Sequence, residues 1–444
     1  MIALDDIRDC FEGVIPSVVA TLDGAGVPNV SYLSQVHLVD ADHVALSNQF
    51  FSKTGRNIEE TGLATVLVVD GRSGDQYRLD LRFESASRDG EAFDRIASHL
   101  KASEGPNGGS IPWHLRSADI YRVLDCCPVP NAPDVLPAPA DRTGRDTLTT
   151  AAQLSARMAH QTDPDLMLDL ALDGLTASPG FSNVMLLVLD ERGKQLTTLG
   201  SRGYAMGGVG SEVKQGEGAI GVAAAQACPV RLCDMSRGRR FAAAVLAASG
   251  ADAARTIPLP GLAEPQSQLA VPLISLGRVR GVLFAEDARR FRFRQAEEDA
   301  LVMIASQLAA CLRLSELENA GVPPKLNPPA QSRGPQFHVR YHSFDDSLFV
   351  DSNYVIKGVP GRLLFHFLQA HAETGRTDFT NRELRLDATL RLPDLKDNLE
   401  TRLILLRRRL AEKGSPVQLT RPGRGHIRLE LSGVPKLEIV SGTP

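Results

Sequence analysis

Two proline-rich runs divide this chain before any helix or strand is assigned. The first, CPVPNAPDVLPAPA from Cys127 to Ala140, carries Pro128, Pro130, Pro133, Pro137 and Pro139. The second, VPPKLNPPAQSRGP, spans Val322 to Pro335. Every proline removes a backbone N–H donor and fixes φ, so neither run can continue a helix or a central strand, and both read as semi-rigid linkers. The cuts leave pieces of about 125, 180 and 110 residues, each the size of one domain. The expected organisation is a domain at 1–127, a linker at 128–145, a domain at 146–320, a linker at 321–335, a domain at 336–432 and a tail at 433–444. No internal repeat is visible.

Composition excludes several classes. Of 444 residues, 43% are hydrophobic and 23% charged, which suits folded domains and rules out disordered or collagen-like chains. The net charge of −4 argues against a chain that binds polyanions along its whole length. Divided at the linkers, the charge separates. From Gln336 to Ser432 sixteen Lys and Arg stand against twelve Asp and Glu, so this piece is +4 and the remainder −8. The six cysteines form no CxxC pair and read as reduced thiols of a cytoplasmic chain. The N-terminus MIALDDIRDCFEG is acidic and is not expected to be a signal peptide. No apolar run of about 18 residues occurs, so no membrane partner is expected.

Val14 to Val69 reads as short strands broken by turns: VIPSVVATL, VPNVSYLSQVHLV, HVALSN and LATVLVVD, a pattern for a small β-barrel or sandwich. Between the last two lies NQFFSKTGRN, Asn48 to Asn57, where a strand ends and a short helix begins. The exposed N–H groups of a helix start, with Ser52, Lys53 and Thr54, make a phosphate cradle; the same residues also suit a helix cap with a surface lysine. The strand order, this segment and QYRLDLRFESASRDGEAFDRI are similar to the pyridoxamine-phosphate-oxidase-like, FMN-binding split barrel over about residues 1–127. The resemblance implies a two-fold homodimer and FMN as cofactor, although flavin-free barrels also belong to that family. Its flavin contacts would fall on Ser34, Gln35, Asn48, Phe51, Ser52, Lys53 and Thr54. Where members often carry an arginine on the second strand, this chain has Tyr32, Ser34, Gln35 and His37. His37 itself reads as a packed strand residue.

Residues 146–320 alternate helix and strand. Thr162-Asp163-Pro164 caps a helix with an apolar stripe from Leu166 to Leu175, and VMLLVLD follows as a buried strand. GEGAIGVA, Gly216 to Ala223, runs from a Gly-rich turn into a helix but lacks the lysine and hydroxyl of a nucleotide P-loop. LAVPLISLGRVRGVLFAED is a hairpin turning at Leu276-Gly277-Arg278, and a long helix, Phe293 to Glu318, closes the piece. GEGAIGVAAAQACPVRLCD, QSQLAVPLISLGRVRGVLFAED and the closing helix resemble a GAF domain. That resemblance implies a PAS-like sheet with a small-molecule pocket whose ligand the sequence does not name. Cys228 and Cys233 flank Pro229–Leu232, so on a strand they point to opposite faces, and no His/Cys cluster suggests a metal.

The last piece reads as leading strands, a helix through Leu363–His371 stopped at Gly375, a short helix started by the capping box Thr380-x-x-Glu383, and a third helix opened at Pro393-Asp394. A hairpin, VQLTRPGRGHIRLEL, follows. This order resembles the C-terminal winged helix of two-component response regulators. The resemblance places Arg402, Arg407, Arg408 and Arg409 on the recognition helix and Arg421 and Arg424 in the wing, with DNA as partner. Asp397 and Glu400 dilute that helix, and the same face suits a protein contact. The fold class expected is a multi-domain α+β chain: split β-barrel, GAF α/β sandwich, winged helix-turn-helix. The function expected is a cytoplasmic sensor that couples a flavin, redox or small-molecule signal to transcription. An FMN-dependent oxidoreductase with a regulatory GAF domain is the alternative. No GxSxG, HExxH or paired-carboxylate motif assigns a catalytic residue.

Overall fold

The computed structural model describes residues 2–49, 53–103, 115–130, 143–177, 181–190, 193–235, 257–318, 334–390, 392, 399–423 and 425–441; at 143–146 and 315–318 only the backbone is described. The N-terminal domain opens with a 3-10 stretch, Leu4–Phe11, and continues through β1 (Ser17–Leu22), β2 (Pro28–Leu33), β3 (Val36–Leu38) and β4 (His43–Asn48). Then come α1 (Lys53–Thr61), β5 (Leu63–Val69), β6 (Gln76–Ser87), α2 (Glu91–Ser103) and β7 (Ser117–Val129). The strands form one antiparallel sheet in the order β2-β1-β5-β6-β7-β4-β3. Register slips between Asp80 and Leu81 and between Phe83 and Ser85 bend β6. The sheet curls far enough that β2 touches β4. Alternate residues of β1, β5 and β6, among them Val19, Val66, Val68, Leu79 and Leu81, fill the concave side. β7 runs through Cys127 and Pro128, two residues past the point where the linker was expected.

The middle domain contains α3 (Thr143–Ala159), α4 (Pro164–Ala177), β8 (Asn183–Leu189), β9 (Gln195–Arg202), β10 (Glu212–Lys214), α5 (Gly218–Gln226), β11 (Val230–Leu232), β12 (Ser267–Ser275), β13 (Arg278–Asp287) and α6 (Gln295–Glu318). Its six strands run β10-β9-β8-β13-β12-β11. The unbroken apolar run of β8 is explained by burial on both faces: α3, α4 and α6 cover one side and α5 the other. Leu276 and Gly277, both at positive φ, make the tight turn between β12 and β13.

The C-terminal domain has β14 (Gln336–His342), β15 (Ser347–Val350), β16 (Asn353–Ile356), α7 (Gly358–Thr374), β17 (Asp378–Thr380), α8 (Asn381–Leu386), α9 (Leu399–Glu412), β18 (Val417–Gly423), β19 (His426–Leu431) and β20 (Val434–Val440). Thr380 and Glu383 make both bonds of the expected capping box at the start of α8. The proposed opening of the third helix at Pro393-Asp394 lies outside the described residues. Residues 434–440, expected as tail, are a strand: β20 pairs in parallel with β14 in the sheet β16-β15-β14-β20. Three further strands form the sheet β17-β19-β18. One apolar core continues from α3, α4 and α6 into α7 and α9, so the two domains share a hydrophobic seam. Among the described residues no helix is long and apolar enough to cross a membrane.

Candidate functional site

Of the residues assigned to a flavin, Ser34, Asn48, Lys53 and Thr54 lie where β4 ends and α1 begins. Lys53 is exposed at the first position of α1. Thr54 is buried, and its hydroxyl accepts a hydrogen bond from Asn29 Nδ2 of β2 at 2.9 Å. Ser34 Oγ donates to Gln49 Oε1 at 2.7 Å. Asn48 Nδ2 donates to Asp119 Oδ2 of β7 at 3.0 Å, and Ser117 Oγ donates to the other oxygen at 2.6 Å. Burial pushes the Asp119 carboxyl up against the pull of those two bonds. Phe51 and Ser52 lie outside the described residues. Gln35 does not join the group: it lies in the connection between β2 and β3, and its side chain lies beside Gly13 and His99.

Two buried amide atoms here lack hydrogen-bond partners among the described residues: Asn48 Oδ1 and Gln49 Nε2. Leaving such atoms unmet costs about 1–3 kcal/mol each. A donor and an acceptor beside a helix start and Lys53 fit a polar, anionic ligand such as FMN. Gln49, Ser117 and Asp119 were missed from sequence. The available signal was Asp119 itself, an acid two residues from Tyr121 on the inward side of a strand.

The second group of polar residues lies in the seam between the first two domains, where α2 packs on β11 and α5. Arg95 Nη1 donates to Glu298 Oε1 at 2.7 Å, and Arg231 Nε stands 3.6 Å from the other oxygen. Burial would raise the Glu298 carboxyl, but Arg231 and Arg95 outweigh it and hold it below its ordinary value. His37 and His99 face the same seam, and burial pushes each imidazole down to about 4. Ser98 Oγ lies 3.0 Å from Cys228 Sγ, whereas Cys233 Sγ is buried 3.7 Å from the carbonyl of Phe293. The two thiols occupy different surroundings and are not bonded to each other.

Three of the six arginines assigned to DNA, Arg407, Arg408 and Arg421, lie against the middle domain. Arg407 and Arg408 both pair with Asp165 near the start of α4. Arg408 Nη2 also reaches the Asp165 carbonyl and Asp169 Oδ1, each at 3.0 Å. Arg421 pairs with Glu400 and stands 3.6 Å from Asp163 Oδ1. A cleft of about 340 Å3 beside them is lined by Asp169, Arg202, Arg408 and Glu412. Arg409 corrects the sequence expectation: it is buried, donating to the Val355 carbonyl and to Glu412 Oε2, each at 2.9 Å. Three consecutive helical residues fan across about 200°, so they cannot share one outer face. Arg402 is half-buried on α9, and Arg424 lies outside the described residues.

Comparison with known proteins identifies two of the three domains. Residues 3–112 match the family model described as pyridoxamine 5'-phosphate oxidase, and residues 163–312 match the GAF domain. The chain thus carries a pyridoxamine-phosphate-oxidase-like N-terminal domain followed by a GAF domain. No curated protein matches it. Among solved structures, the GAF domain of an Acinetobacter phosphoenolpyruvate-protein phosphotransferase is similar at 22% identity, over 38% of this chain and 95% of that one, with a TM-score of 0.32. An FMN-binding protein from Syntrophomonas wolfei is similar at 21% identity, over 29% and 92%, with a TM-score of 0.24. Free methionine-R-sulfoxide reductase from Neisseria meningitidis is similar at 21% identity, over 41% and 97%, with a TM-score of 0.32. Likenesses this distant speak to no ligand or reaction.

Proposed function

We propose that this protein is a sensor-regulator. The barrel and the GAF domain receive a flavin, redox or small-molecule signal, and the C-terminal domain, read as a winged helix, carries it to DNA. The observation that carries this reading is the reach of α6. Near its start, Glu298 is held by Arg95 of the barrel, and farther along the same helix packs on α9 of the C-terminal domain. A ligand that favours one setting of α6 therefore biases both neighbours, and two-state coupling of this kind needs only differential affinity for the two settings. The helix–short helix–helix–hairpin order of α7, α8, α9 and β18–β19 supports the winged-helix reading.

FMN is the ligand proposed for the barrel, with Lys53 and the start of α1 at its phosphate and the Asn48 and Gln49 amides at its polar edges. Bound FMN would supply one- and two-electron chemistry; the residues named here bind and orient it. Pairing with a second copy is proposed across β2, an edge strand that leaves Val30 64% and Tyr32 75% exposed. The test is a spectrum and FMN titration of the purified chain. We expect a flavin absorbance band and a Lys53→Ala variant that binds FMN about tenfold more weakly, the loss of one charged hydrogen bond. A colourless protein that takes up no FMN overturns the flavin assignment.

A further inference from the structure

We infer that Asp163, Asp165 and Asp169 of the GAF domain form an acidic ridge that occupies the nucleic-acid face of the C-terminal domain, so that DNA must compete with the GAF domain for the same guanidinium groups. The inference rests on the winged-helix reading above and adds to it how that output is held in check.

The chemistry of the contact favours this reading over an ordinary domain seam. A guanidinium fork binds carboxylate and phosphate oxygens with the same paired geometry, so a row of aspartates can stand in for a phosphate backbone. Asp163 and Asp165 sit at the N-terminal end of α4, and Asp169 lies one turn along, on the same helix face. Opposite them are Arg421 from β18 and Arg407 and Arg408 from α9, the two elements a winged helix uses on DNA. The side chains of Arg408 and Arg421 are left only 12% and 14% exposed, so this face presents little of their charge to a polyanion. Two of the aspartates have carboxylate partners within the GAF domain itself. Asp163 Oδ1 accepts from the Asp165 N–H at 2.9 Å, and Asp169 is shared with Arg202 of the GAF domain at 2.9 Å. Those two carboxylates are therefore set by the GAF fold, and Asp165 stands between them on α4. The Lys357–Glu212 pair, at 2.8 Å, and the shared apolar core hold the two domains together beside it. Closure is thus the resting arrangement, and release requires a signal from the GAF domain.

The test measures binding of the full chain to labelled mixed-sequence duplex DNA at low salt by fluorescence anisotropy, with hydrogen exchange of α9 followed in parallel. The variants are Asp165→Asn/Asp169→Asn, the milder Asp169→Asn, and Asp173→Asn. Asp173 forms its ion pair with Arg202 and acts on Arg408 only at longer range, so its removal lowers the local negative charge while the ridge ion pairs stay in place. The double variant should bind about tenfold more tightly than the unaltered chain, within the usual range of coupling between sites, and exchange faster in α9. Asp169→Asn should show part of the effect and Asp173→Asn none. Adding Arg407→Ala and Arg408→Ala should abolish the gain. Equal DNA affinity in the unaltered chain and both ridge variants overturns the ridge and leaves DNA binding standing. Absence of DNA binding in all of them overturns the DNA reading itself.

Discussion

Arg407, Arg408 and Arg409 follow one another on α9 and meet two environments. The first two face aspartates of the neighbouring domain, and the third is buried against the Val355 carbonyl. Arg409 is therefore structural. Truncation to alanine leaves a carbonyl and Glu412 without their partner and should cost about 2–3 kcal/mol, measured by chemical denaturation. Arg409→Lys should recover little, since one ammonium cannot reproduce the fork that spans both acceptors. The sequence marked these residues as basic and as helical, and both readings hold. Which face each one takes depends on packing against Val355 and α4, residues far away in the chain that no local pattern connects to α9.

At the scale of elements, the Gly-rich segment that runs into α5 is a packing device. A Cβ on Gly221 would lie 2.3 Å from the Lys214 carbonyl oxygen and 2.8 Å from the Gly216 nitrogen, both backbone atoms that cannot swing away. Gly221→Ala should therefore destabilise the GAF domain by about 2–3 kcal/mol. Gly218→Ala, with open space around it and only a positive φ to strain, should cost about 1 kcal/mol in the same denaturation assay. Local signals of this kind were readable beforehand: the capping box at Thr380, the turn at Leu276-Gly277 and the buried run of β8 all depend on near neighbours. β20 was not readable. None of its residues is fully buried, so its apolar signal is weak, and its partner β14 lies nearly a hundred positions earlier. Asp119 was hidden for a similar reason, since its partner Asn48 is 71 residues away.

Across the whole molecule, the seam between barrel and GAF domain should respond to acid. His37 and His99 have folded values of about 4 against an ordinary 6.5, so as pH falls the unfolded chain takes up their protons first. Their contribution is complete above pH 6.5 and is lost between 6.5 and 4, about 2 kcal/mol for each imidazole by pH 5. Glu12 in the same seam, raised by burial, works in the opposite direction. Comparing stability at pH 7 and pH 5, a His99→Gln variant should lose less on acidification than the unaltered chain. The return of β20 to β14 also sets an order of assembly. During synthesis, β14 emerges early in the C-terminal domain and has only β15 beside it until residues 434–440 exist. The four-stranded sheet thus closes last, and a nascent chain carries one unpaired strand margin for as long as translation of that domain takes.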